Sequence, residues 1–119
     1  MVLRMVPMIV VMGTIFFLSH QSFGDSPPLF PGVDKLVHMF LYGILAATVL
    51  FGLPGKVREK HVLAIALVMT TCIVYGISDE IHQAFVPNRY PDWVDVLADT
   101  IGAAVICGGW FWFVNKGKD

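Results

Sequence analysis

The chain is poor in charge. Of its 119 residues, eight are Lys or Arg and nine are Asp or Glu, 14% in all, against about 25% in an ordinary soluble domain. A single small domain needs polar surface to stay in water, and these side chains do not supply it. The basic residues are too scattered for a nucleic-acid-binding face, and the formal net charge of −1 points the same way. No nucleic-acid partner is expected. Cysteine is scarce too: Cys72 and Cys107 match no C-x-x-C metal or redox spacing. Each falls inside an apolar run, where a thiol behaves as a small buried hydrophobe. There is no G-x-S-x-G, no H-E-x-x-H, no P-loop and no internal repeat, so the usual hydrolase, zincin and nucleotide-binding signatures are missing.

What the sequence has is hydrophobicity: 56% of residues, with a mean hydropathy of +0.72. Four apolar runs cover residues 5–18, 36–53, 62–78 and 97–114. A membrane-crossing helix needs about 20 residues, with a range of about 17–25. The last three runs meet this length. The first does so only by extending to Val2 and Ser19, with Arg4 reaching back to the interface. None of the runs alternates every second residue, which excludes a β-barrel. The expectation is an all-α, multi-pass protein of the cell membrane. It forms a single domain over residues 1–119, a small bundle of four transmembrane helices at about 2–19, 35–53, 62–84 and 93–114. The first run also reads as a signal peptide, with Arg4 as its basic region and Ser22-Phe23-Gly24 as a small-residue cleavage site.

Positive charge orients the bundle. Arg4, the loop with Lys56, Arg58 and Lys60, and the tail with Lys116 and Lys118 all fall on one side of four spans. The positive-inside rule therefore places both termini in the cytoplasm. Trp110 and Trp112 would mark the inner interface, Tyr90 and Trp93 the outer one. Seven of the nine acids, Asp25, Asp34, Asp79, Glu80, Asp92, Asp95 and Asp99, then lie at the outer side.

Those acids sit at the ends of apolar helices rather than in long solvated loops. Intramembrane charge is costly and is usually found paired, facing a bundle interior or a wet cavity. Helical spacing supports a shared interior. Asp34, His38 and Tyr42 fall at i, i+4, i+8 on the second helix. Tyr75, Asp79 and either His82 or Gln83 do so on the third, and Asp92, Asp95, Asp99 and Gly102 share a face of the fourth. Plainer roles exist. Asp34 and Asp92 each suit a helix N-cap, His82 suits an interfacial side chain with its tip in water, and Arg89 suits a structural ion pair. Asp79, Glu80 and Asp99 have no such account. On the fourth helix, Ala98/Gly102 and Ala104/Gly108 form small-xxx-small pairs suited to packing inside the bundle, with dimerisation as the other use.

Three motifs now carry a resemblance. Asp34-Lys35-x-x-His38 opens one helix, and Ser78-Asp79-Glu80-x-x-Gln83-x-Phe85-Val86-Pro87-x-Arg89 closes the next. Asp95-Val96-Leu97-Ala98-Asp99-x-x-Gly102 opens the last. In this order they resemble the VanZ-like family, over about residues 34–108. Many members have Gly where this chain has Asn88, and Asn where it has Asp99. The resemblance implies a multi-pass envelope protein linked to lowered teicoplanin susceptibility, that is, antibiotic resistance, with no settled substrate, cofactor or catalytic set.

Two functions are carried forward. In the first, the protein is not an enzyme. An outward-facing polar pocket of Asp34, Lys35, His38, Asp79, Glu80, Gln83, Arg89, Asp95 and Asp99 binds an envelope lipid or a peptidoglycan-synthesis component, with Lys35 and Arg89 taking phosphate oxygens. In the second, the Asp/Glu/His cluster acts on a lipid phosphate as acid, base or divalent-cation ligands. An ion or proton pathway ranks behind both, since four short helices without an inverted repeat leave little room for alternating access.

Overall fold

A computed structural model describes residues 1–21 and 32–118. The cleavage site at Ser22-Phe23-Gly24 and the acid Asp25 lie outside the described residues. Five helices follow in order: α1 (Val2–His20), α2 (Val33–Gly52), α3 (Gly55–Arg58), α4 (His61–Gln83) and α5 (Trp93–Lys116). α1, α2, α4 and α5 are long and apolar enough to cross a membrane, and they form the expected four-helix bundle. The connection at 54–61, expected as a loop, holds the single helical turn α3.

The helix ends follow from local chemistry. α2 is not capped by Asp34, contrary to the N-cap reading. The cap is Gly32, in a left-handed conformation (φ 84°) that glycine adopts without steric cost. Its carbonyl accepts from the N–H groups of Lys35 and Leu36, so the Asp34 side chain is released for other partners. Asp92 does cap α5: its carboxylate accepts from the Val94 N–H at 3.0 Å. Between α4 and α5 the chain turns through Asn88, whose φ of 63° is positive. Few L-residues accept that region, and Asn is among the more tolerant. Asn88 thus takes a backbone conformation that most other L-residues would resist.

The core is narrow. Tyr42, Leu45 and Ala46 of α2 pack with Ala64, Val68 and Cys72 of α4 and Ala103 and Cys107 of α5, and Ile15 of α1 closes one side. Both cysteines are buried and unbridged, as read from their apolar setting. Large apolar side chains such as Phe40, Val62, Val105 and Phe113 cover the outside. A helix apolar all round is one that a membrane surrounds.

α5 packs most extensively on α2, and glycine makes this contact close. A Cβ on Gly102 would run into the Met39 carbonyl, and one on Gly43 would meet Ile106 at 3.5 Å. Ala98 and Gly102 are buried, so this pair packs inside the bundle as expected. Ala104 and Gly108 do not: both are exposed, and nothing lies within 4 Å of a Cβ built on Gly108. Their register turns them away from α2 and α4.

Antiparallel packing sorts the charges to opposite ends. At one end Arg4 lies 4.8 Å over the Phe51 ring and His61 meets Trp110 edge-on. At the other, α1 reaches Asp79 through Ser19, and α2 reaches α5 through Lys35 and His38.

Candidate functional site

The polar end is assembled from all four long helices. Lys35, in the first turn of α2, is its hub. Its ammonium lies 2.9 Å from Asp34, 2.6 Å from Asp92 and 2.6 Å from Asp95. Asp34 and Asp92 accept hydrogen bonds from it, and Asp95 completes its set of ion pairs. Capture of a phosphate by Lys35 would therefore require it to give up one of its pairs. Asp92 lies outside the spanning helices, and the Lys35 hydrogen bond holds its carboxyl below the usual carboxylate range.

One turn deeper, His38 faces two acids of α5. Its Nδ1 is 2.8 Å from Asp99 Oδ1, and its Nε2 is 3.5 Å from Asp95 Oδ2. The ring stacks on Tyr42, with centroids 6.4 Å apart. Asp99 is fully buried and reaches this position because α4 presents Gly76. A Cβ there would come within 2.7 Å of Asp99 Oδ2.

α4 supplies Asp79, Glu80 and Gln83, all buried. Glu80 Oε2 accepts from the Asp92 N–H at 2.8 Å, tying the end of α4 to the start of α5. Asp79 Oδ1 accepts from the Ser19 hydroxyl of α1, and Gln83 Nε2 donates to Ser19 Oγ at 3.1 Å. The Tyr75 hydroxyl donates to the Met12 carbonyl, a second link from α4 to α1. Tyr42 Oη, Glu80 Oε1 and Asp99 Oδ2 are buried with no hydrogen-bond partner among the described residues. Buried polar atoms of this kind are rare in folded proteins and call for an explanation.

The sequence-predicted residues separate into a floor and a rim. Asp79, Glu80, Gln83, Asp95 and Asp99 form the buried floor, and His38 joins it with 13% of its side chain exposed. Lys35 and Asp34 form the rim, Asp34 with a side chain 59% exposed. Arg89 donates from Nη1 to the Gln21 carbonyl at 2.7 Å, on the α1 side of the same end. Of the two candidates on the stripe of α4, Gln83 turns inward and His82 does not. His82 stacks on Phe16, with centroids 4.5 Å apart, and its Nε2 lies 3.3 Å from His20 Nδ1. It is half-buried between rings rather than tipped into water.

Sequence reasoning missed Ser19 and Gly76. Ser19 is an ordinary hydroxyl at the end of an apolar helix. Gly76 matters for the space that it leaves, and its place three residues before Asp79 is the one signal that could have found it.

His38, Asp79 and Glu80 each offer one ligand atom within 4.8 Å of the others, a grouping able to hold a metal ion. Near the rim, an open apolar groove of about 460 Å³ runs between α2 and α5, lined by Leu36, Met39, Phe40, Gly43, Ile101 and Val105 among others.

The model of one protein family, described as VanZ/LLP1, matches residues 4–114. This span contains all three motifs that carry the resemblance. No curated protein and no solved structure matches the chain.

Proposed function

Because the chain belongs to the VanZ/LLP1 family, we propose that it acts at the cell envelope, lowering teicoplanin susceptibility by binding an envelope lipid or partner at its polar end. The observation that carries this reading is the buried floor of Asp79, Glu80, Asp95 and Asp99 beneath the Lys35 rim. Acids placed inside a membrane bundle at the cost of their hydration mark a functional site by default. The adjoining apolar groove suits an acyl chain whose headgroup meets that rim. The positive-charge bias of the opposite end favours both termini in the cytoplasm and the polar end outside, facing the antibiotic.

The test is teicoplanin susceptibility of a Gram-positive host expressing the protein or Glu80→Gln at matched membrane levels. Glu80→Gln keeps an acceptor for the Asp92 N–H but removes the buried charge. Protection by the wild type that the variant loses supports the reading. No protection by either, or equal protection by both, overturns it. The grouping of His38, Asp79 and Glu80 favours a second reading, a membrane enzyme acting on a lipid phosphate. Purified protein that turns over no envelope lipid, with or without divalent cations, would remove it.

A further inference from the structure

The three groups His38, Asp79 and Glu80, which lie close enough together to share an ion, have a pattern in common. Each has one polar atom fixed by a neighbour and a second atom left over. Glu80 Oε2 is held by the Asp92 N–H, and Glu80 Oε1 is buried with no partner. Asp79 Oδ1 is held by Ser19, which leaves Oδ2. His38 Nδ1 is held by Asp99 at 2.8 Å, and Nε2 has only Asp95 at 3.5 Å. Metal ligands are held in this way, with the second atom of each oriented by an outer hydrogen bond and the histidine backed by a carboxylate.

Distance and charge agree. Two ligands about 2.1 Å from an ion lie at most about 4.2 Å apart, so atoms within 4.8 Å of one another need close by only a fraction of an ångström. The carboxylates of Asp34, Asp79, Glu80, Asp92, Asp95 and Asp99 outnumber the permanent cations Lys35 and Arg89 at this end. In a low-dielectric bundle such an excess favours a bound cation over a bound anion. One imidazole with two carboxylates suits Mn²⁺ or Zn²⁺ better than Ca²⁺ or Mg²⁺, which prefer all-oxygen shells.

We propose that His38, Asp79 and Glu80 form a binding site for one divalent transition-metal ion, with Asp99 and Ser19 orienting the ligands. The site lies within about 10 Å of the helix ends, at a rise of 1.5 Å per residue. A bound ion would let an acidic floor accept a phosphate-bearing headgroup that bare carboxylates repel. The ion site itself does not depend on that use.

The experiment loads the full-length protein with Mn²⁺ in detergent micelles near neutral pH. Metal content is measured after dialysis, and pulsed electron paramagnetic resonance reads nitrogen coupling to the ion. The expected result is one Mn²⁺ per chain, displaceable by Zn²⁺, with the coupling of a single imidazole nitrogen. His38→Gln loses that coupling, and Glu80→Gln weakens binding by about 100-fold, the upper end of losses seen even for outer-shell partners. Wild-type protein that binds Mn²⁺ more weakly than about 1 mM overturns the proposal. So does bound Mn²⁺ without imidazole coupling, which reads the site in wild type whether or not the variants fold. Wild-type protein that binds the ion but gives no teicoplanin protection would count against the envelope reading and leave this site standing.

Discussion

The two ends of the bundle hold similar numbers of charges and treat them in opposite ways. At the basic end, Lys56, Lys60, Lys116 and Lys118 are exposed, and Lys116 rests its ammonium 4.8 Å over the Trp112 ring. These side chains lie along apolar surface with their heads free. At the acidic end, Glu80 and Asp99 are fully buried and Asp79 and Asp95 nearly so, each against groups from other helices. Exposed charge can be exchanged with little effect on the fold, whereas a buried charge is tied to every partner that compensates it. The basic end thus leaves its charges free of the fold, and the acidic end is built around specific contacts.

That contrast breaks if removing one partner at the acidic end costs little. His38→Ala strips the imidazole from fully buried Asp99 and should destabilise the protein by about 3–5 kcal/mol, the usual result of leaving a buried charge unpaired. Lys56→Ala at the basic end should stay within about 0.5 kcal/mol. Thermal unfolding in detergent compares the two, and similar midpoints would show that the acidic network is not structurally coupled.

The same contrast runs along α5. Gly102→Ala drives a Cβ into the Met39 carbonyl and should cost about 1–3 kcal/mol, as overpacking does. Gly108→Ala, six residues on in open space, should change stability by less than about 0.5 kcal/mol. An unaffected Gly102→Ala would mean that α2 and α5 separate more easily than their packing implies.

These glycines also mark how far the sequence could be read. Three of the four spans were legible from apolar run length alone, and α1 only by extending its short run to Val2 and Ser19. Much of the floor was legible because i, i+4 spacing puts Asp34, His38 and Tyr42 on one stripe. What helical periodicity cannot supply is the rotation of one helix against another. Gln83 and His82 are neighbours, and the choice between them was made by Ser19 and His20 across the α1–α4 contact. The space at Gly76 exists only because Asp99 arrives from α5. Likewise, Ala104/Gly108 and Ala98/Gly102 look alike in sequence and face different ways in the bundle.

A smaller effect separates rim from floor within the acidic end. The Lys35 hydrogen bond lowers the pKa of Asp92 below its ordinary value, so Asp92 releases its proton more readily folded than unfolded. Its stabilisation is complete above the unfolded value of about 3.9 and is lost as pH falls through the lower folded value. Asp92→Asn should therefore lower the unfolding midpoint at neutral pH, and the gap to wild type should narrow below about pH 4. No gap at neutral pH would mean that Asp92 acts through its cap of α5, which an amide can also provide, rather than through its charge.

The least effect on the fold is expected where the charges do not touch it. Replacing Lys56, Arg58 and Lys60 together by Gln should leave the unfolding midpoint nearly unchanged, since Lys56 and Lys60 are exposed and α3 buries nothing. The change should appear in topology instead, because the bias of Lys and Arg near helix ends sets orientation. Asn88→Cys reports it: the native Cys72 and Cys107 are buried, and residue 88 is exposed in the turn at the acidic end. An impermeant thiol reagent should label this cysteine in intact cells when the basic loop is present, and label it less when the loop is neutral. Labelling that is absent with the native loop would invert the orientation and place the acidic end in the cytoplasm. Labelling equal in both would assign orientation to Arg4 and the C-terminal lysines, leaving the two ends as different as before but moving the cause to the chain termini.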